Sequence, residues 1–146
     1  MKTHANSKRS AFAVGLYELL EPIPLGFFVA AWIFDIIYLN SFVLMWTHAA
    51  SWLIAIGLVI AVIPRLMNLG QVWVGQHYPQ SSPVKIHFWL NLLAILLAIL
   101  NAFIHSRDAY AVVPMGVILS TLVVILLLLS NVQLALRQRT IKEQPL

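Results

Sequence analysis

Few side chains in this chain could do chemistry, and the first is Asp35. It is a carboxylate inside the apolar stretch that runs from Pro22 to Asn40. An ionisable group at that depth in a bilayer is costly and is held by a partner or a wet cavity inside the protein. At 1.5 Å of rise per residue, Asp35 lies about 16 Å past Pro24, which predicts a place near the midplane. Two readings are open: a proton-relay or ligand-binding carboxylate, or a structural acid hydrogen-bonded to a neighbouring span. Ser120 and Thr121 lie near the same depth on another span and are its candidate partners. The histidines come next. His48 and His105 are expected at one level near the ends of two spans, where paired imidazoles can ligate a haem b or a metal. The alternative is two interfacial histidines near water. His87 and Asn91 are four apart and share one helix face. That face could meet a quinone, a haem or a lipid head group, or serve as a polar anchor between helices.

Other chemistries lack their parts. The chain has no cysteine, so disulfides, thiolate metal sites and iron–sulfur ligation are excluded. No nucleophile–base pair can be assigned, and no glycine-rich phosphate loop, nucleophile elbow or metalloprotease motif occurs. The reading of the protein as an enzyme is therefore not favoured. His4 and His77 fall in polar segments and carry no signal.

The elements that must position these groups follow from composition. Of 146 residues, 61% are hydrophobic and 10% are charged, against about 25% charged in soluble domains. The apolar runs are continuous rather than alternating, which selects helices over a transmembrane β-barrel. Four runs are long enough to cross a hydrocarbon core of about 30 Å. They are expected at about 24–42, 47–65, 84–104 and 111–130, with short polar turns after the first and third and a longer connection over 65–85. Gly70, Gly75, Pro79 and Pro83 mark turns in that connection. Pro114 is expected in the first turn of the fourth span, where a missing amide is tolerated. The fold class is thus all-α: an integral membrane bundle of four antiparallel transmembrane helices. Residues 1–21 form an N-terminal tail with a possible interfacial helix over 11–20, residues 22–131 the membrane domain, and residues 132–146 a C-terminal tail.

Lys and Arg set the expected orientation. Lys2, Lys8, Arg9, Arg65, Lys85, Arg137, Arg139 and Lys142 fall on one side, and Arg107 alone on the other. By the positive-inside rule both termini are expected in the cytoplasm of a bacterial inner membrane. The same placement at span ends argues against nucleic acid as the partner of the +4 net charge. The expected partner is the lipid bilayer, together with a second copy of the chain or a larger membrane complex.

Three pieces of sequence resemble the bacterial membrane family known as domain of unknown function 2231. They are Pro22-Ile-Pro-Leu-Gly26 with Asp35 nine residues on, Ala61-Val-Ile-Pro-Arg65, and Lys85-Ile-His-Phe-Trp-Leu-Asn91. The resemblance covers about Leu16 to Leu128 and implies four spans in the plasma membrane, with no settled activity. Members often carry a His-Pro pair where this chain has Tyr17-Glu18, and an acid where it has Asn68. In members, that histidine together with the one matching His87 could hold a haem. Here the pair is broken at Tyr17.

Three functional classes remain at this stage. The favoured one is a structural or accessory membrane subunit without a cofactor. The others are a haem- or quinone-linked redox protein using His87 and Asn91 or His48 and His105, and a small proton-coupled transporter or channel built on Asp35.

Overall fold

A computed structural model describes Gly15, Leu19, Leu20 and residues 22–73 and 82–142. Its frame is four helices: α1 (Ile23–Ser41), α2 (Leu44–Trp73), α3 (Ser82–His105) and α4 (Met115–Lys142). A 3-10 turn (Ala109–Val112) lies between α3 and α4, and no strand occurs among the described residues. Each of the four carries a stretch long and apolar enough to cross a membrane: Ile23–Ser41, Leu44–Ile63, Ile86–His105 and Met115–Leu136. The four-span all-α fold expected from composition is thus the fold observed.

Several boundaries move. The second helix does not stop near residue 65 but continues through Pro64 and Gly70 to Trp73. Proline removes a single amide donor, and the helix-favouring run after it carries α2 on beyond the apolar window. Gly70 therefore lies within a helix; Gly75 and Pro79 fall outside the described residues. The fourth span does not start at Ala111. The 3-10 turn occupies that place, Val113-Pro114 follows with a cis peptide bond, and α4 begins one residue after Pro114. The segment expected as a tail from 132 is helical up to Lys142. Of the interfacial helix expected over 11–20, only Gly15, Leu19 and Leu20 are described, and all three are helical.

α1 and α2 are joined by Phe42 and Val43 alone. Phe42 takes a left-handed conformation, φ 53°, and its amide donates to Tyr38 O at 2.8 Å. That bond satisfies one of the carbonyls a helix end leaves open.

The helices form a four-cornered bundle. α1 packs on α2 and α4, and α3 packs on the same two helices, while α1 and α3 face each other across the diagonal without backbone contact. The buried positions of α1 are Pro24, Phe28, Ala31, Asp35 and Tyr38, spaced alternately four and three. The other helices repeat the pattern: Thr47, Ala50, Ile54, Gly57 and Ala61 on α2, and Ala94, Ala98, Asn101 and His105 on α3. On α4 it runs Gly116, Ser120, Val123, Leu127 and Ser130. A 3.5-residue period keeps one seam of each helix on the bundle axis, as in left-handed coiled coils. The dry centre holds Phe28, Ala31, Ala50, Ile54, Ala94, Ala98, Val123 and Leu127, two from each helix. Small residues on α2 and α3 let the backbones approach closely, which is how membrane helices gain packing energy without a hydrophobic driving force. The periphery is apolar as well: Trp52, Val59, Trp89 and Phe103 are each more than 60% exposed. In water such a surface would be a liability, and in lipid it is the solvated face.

Candidate functional site

The seam positions that are not apolar define the site. Asp35 sits six residues before the end of α1, about 9 Å from it at the helical rise, so it lies toward the end of the bundle that carries the two short connections. α1 ends at the αL cap on Phe42, soon after Tyr38.

His105, the last residue of α3, reaches across the diagonal to Asp35, with Nε2 2.7 Å from Oδ1. Both side chains are almost fully buried, at 0% and 2% exposure. Ser120 of α4 forms a short hydrogen bond from Oγ to Asp35 Oδ2. Asn101, one turn before His105, donates from Nδ2 to Ser120 Oγ at 2.8 Å, and its backbone carbonyl lies 2.9 Å from His105 Nδ1. The four residues therefore close a hydrogen-bonded ring across three helices. Gly116 makes room for it: a Cβ there would stand 3.1 Å from His105 Cε1 and 2.5 Å from Val112 Cγ1.

The ring fixes its own protonation. A backbone carbonyl only accepts, so His105 Nδ1 carries a hydrogen. The Nε2–Oδ1 contact then needs one proton between its two atoms, because two facing lone pairs would repel. That proton makes either an imidazolium–carboxylate pair or a neutral imidazole with a neutral acid. Both arrangements carry zero net charge, which is how an acid inside a bilayer helix becomes tolerable. The serine donates to the carboxylate rather than to the imidazole. The trio is therefore not a nucleophile activated by a histidine, which would require the serine hydroxyl on the ring nitrogen.

Asn101 Oδ1 is buried without a hydrogen-bond partner. An orphan acceptor of this kind costs about 1–3 kcal/mol. Asn101 and Ser120 border a narrow gap whose other walls are the apolar Phe28, Ala31, Ile54, Ala98 and Val123.

The remaining candidates are placed as follows. Thr121 does not join Asp35. It receives the indole hydrogen of Trp32 at 2.9 Å and donates to Val117 O at 2.6 Å. Neighbouring residues on a helix point about 100° apart, so Ser120 and Thr121 cannot both face the axis. His48 is exposed beside the buried Thr47, whereas His105 is buried with both ring nitrogens engaged, so the two do not form a shared ligand pair. His87 and Asn91 share a face as expected, and both meet Ser130 of α4. Asn91 Nδ2 donates to Ser130 Oγ at 2.5 Å, and Ser130 Oγ is 2.7 Å from His87 Nδ1. Tyr38 ties α1 to the 3-10 turn, its hydroxyl donating to Ala109 O at 3.1 Å. Tyr17 and Glu18 lie outside the described residues. Among the described residues no group of three or more metal-ligating side chains occurs.

The partnership of Asp35 with His105 was not read from the sequence, nor were the roles of Asn101 and Ser130. The signal was available. On a 3.5-residue period, Asp35 falls on the seam of Phe28 and Ala31, and His105 on the seam of Ala94, Ala98 and Asn101. Assigning histidines by their position along a span hides this, because the last residue of a helix is read as interfacial.

The family comparison adds to this geometry. The profile of DUF2231, described as "Predicted membrane protein", matches residues 16–134. The chain belongs to this family. The matched segment holds all four ring residues and the His87–Asn91–Ser130 group. No curated protein and no solved structure matches the chain.

Proposed function

We propose that this member of the DUF2231 family is a structural or accessory subunit of a bacterial inner membrane, working without a bound cofactor. One observation carries the reading: among the described residues, the polar side chains of the two groups on the bundle axis hydrogen-bond one another, Asn101 Oδ1 apart. The ring around Asp35 and the group around Ser130 are separated along α3 by the ten residues from Asn91 to Asn101, about 15 Å of rise. Ala94, Ala98, Val123 and Leu127 fill the space between them, so among the described residues no polar path joins the two groups. The apolar periphery offers large side chains to lipid or to another membrane protein on every side.

The charge asymmetry supports a topology with both termini in the cytoplasm and the Arg107 turn outside. The chain has no cysteine, so single cysteines at Arg107 and Ser7 make a clean test. An impermeant thiol reagent applied to intact cells is expected to label the first and spare the second. The reverse pattern would overturn the orientation. For the subunit role, the test is native mass spectrometry of the chain extracted with its surrounding lipid. A homo-oligomer or a partner of fixed stoichiometry is expected. A lone monomer would count against the role, and a Soret band or a co-purified quinone would favour the redox reading instead.

A further inference from the structure

We propose that the end of the bundle opposite the Arg107 turn holds a binding site for an anionic phospholipid, with a head group of two phosphates preferred. The site follows from unequal helix lengths. α1 has 19 residues, about 28 Å, and just spans a hydrocarbon core of about 30 Å. Its first residue, Ile23, lies twelve residues before Asp35. Asp35 bonds Ser120, so the matching level on antiparallel α4 is near Val132. Asn91 bonds Ser130, which puts the same level near Trp89 on α3. Gly57 packs against Phe27 and Phe28, which puts it near Val62 on α2. Beyond this level α2 runs on to Trp73, α3 reaches back to Ser82 and α4 runs on to Lys142. These overhangs of about 10–17 Å stand past the α1 corner of the square, in and beyond the head-group layer.

The overhangs are basic. Counted from that level, Arg65 lies three residues along α2, Lys85 four along α3 and Arg137 five along α4. All three positions come about 4–8 Å beyond the hydrocarbon boundary, at head-group depth. Arg139 and Lys142 follow on α4, and no Asp or Glu occurs in 62–73, 82–89 or 132–142. A topology signal requires such charges on one side of the membrane. It does not require them at one level, on three helices around one corner. Basic pockets between spans at this depth are what anionic head groups bind.

The seams lose their cover at the same place. On α3, Ala94, Ala98, Asn101 and His105 are buried, whereas Asn91 and His87 on that seam are only half-buried. On α4, Leu134 is half-buried after the fully buried Ser130. An Nε2 hydrogen on His87 has no acceptor among the described residues: its neighbour at 3.3 Å is Asn91 Nδ2, itself a donor. A phosphate oxygen supplies that acceptor. Val62, Ile63, Trp89 and Val132 are exposed at the boundary and offer the acyl chains an apolar surface. Three cations on three helices match a head group with two phosphates better than one with a single phosphate.

The test counts lipid bound per chain by native mass spectrometry, after exchange in micelles holding phosphatidylcholine, phosphatidylglycerol and cardiolipin in equal amounts. Counted per chain, the result is independent of the subunit role. Cardiolipin is expected to be retained most, then phosphatidylglycerol, with phosphatidylcholine lost first. Arg65→Gln, Lys85→Gln and Arg137→Gln should each weaken cardiolipin binding about fivefold, the effect of one charge at a membrane surface. Arg107→Gln, at the other end of the bundle, should leave it unchanged. Equal retention of the three lipids would overturn the proposal and leave the recess to the chain's own N-terminal segment, whose Glu18 and Glu21 precede α1. Binding unchanged in all three variants, or weakened as much by Arg107→Gln, would overturn it as well. If a variant does not insert, the lipid ranking of the unsubstituted chain decides.

Discussion

At the scale of the residue, the bundle is sensitive where a side chain meets the axis and tolerant one position away. Gly116 and Gly26 make the contrast. A methyl at Gly116 would press into Val112 and His105, whereas nothing lies within 4 Å of a methyl at Gly26. Gly116→Ala is expected to cost about 1–3 kcal/mol in an SDS-titration unfolding assay, the usual penalty of overpacking. Gly26→Ala, on an exposed position of α1, is expected to be neutral or stabilising by up to about 1 kcal/mol through helix propensity. Residue types alone made Asp35 legible, since a carboxylate in an apolar run has to be accounted for. They did not reveal its partner. A histidine at the end of a span is also what an interfacial anchor looks like, and the two differ only in the direction the side chain points.

At the scale of the element, the helices were legible from hydropathy because each span is long, continuous and apolar. Their ends were not. Pro64 does not end α2: it removes one amide and crowds the carbonyl four residues back, yet the helix of 30 residues continues past it to Trp73. Pro114, expected in the first turn of the fourth span, precedes α4. The faces were legible in principle through the 3.5-residue seam, and two substitutions test that seam. Ala98→Leu forces a larger side chain between α3 and the dry centre and should cost about 1–3 kcal/mol. Thr121→Val removes the acceptor of the Trp32 indole, which ties α1 to α4. It should cost about 1 kcal/mol, read in the same unfolding assay and accompanied by a change in tryptophan fluorescence.

At the scale of the whole molecule, the bundle is dry in its centre, polar at two levels on its axis and apolar all round its edge. Substitutions at the edge should be quiet: Trp52→Leu, at a side chain 71% exposed, is expected to shift stability by no more than about 0.5 kcal/mol. The axis behaves differently. α1 and α3 have no backbone contact, so the Asp35–His105 bond is what joins one diagonal of the square. The most direct measurement is a double-mutant cycle in lipid-containing micelles with Asp35→Leu, His105→Leu and the double variant. Each single change leaves a buried polar group without its partner and should cost about 3–5 kcal/mol. The double variant should cost less than the two together, with a coupling of about 1–3 kcal/mol. Costs that simply add would contradict the claim that the two side chains hold the bundle together as a pair.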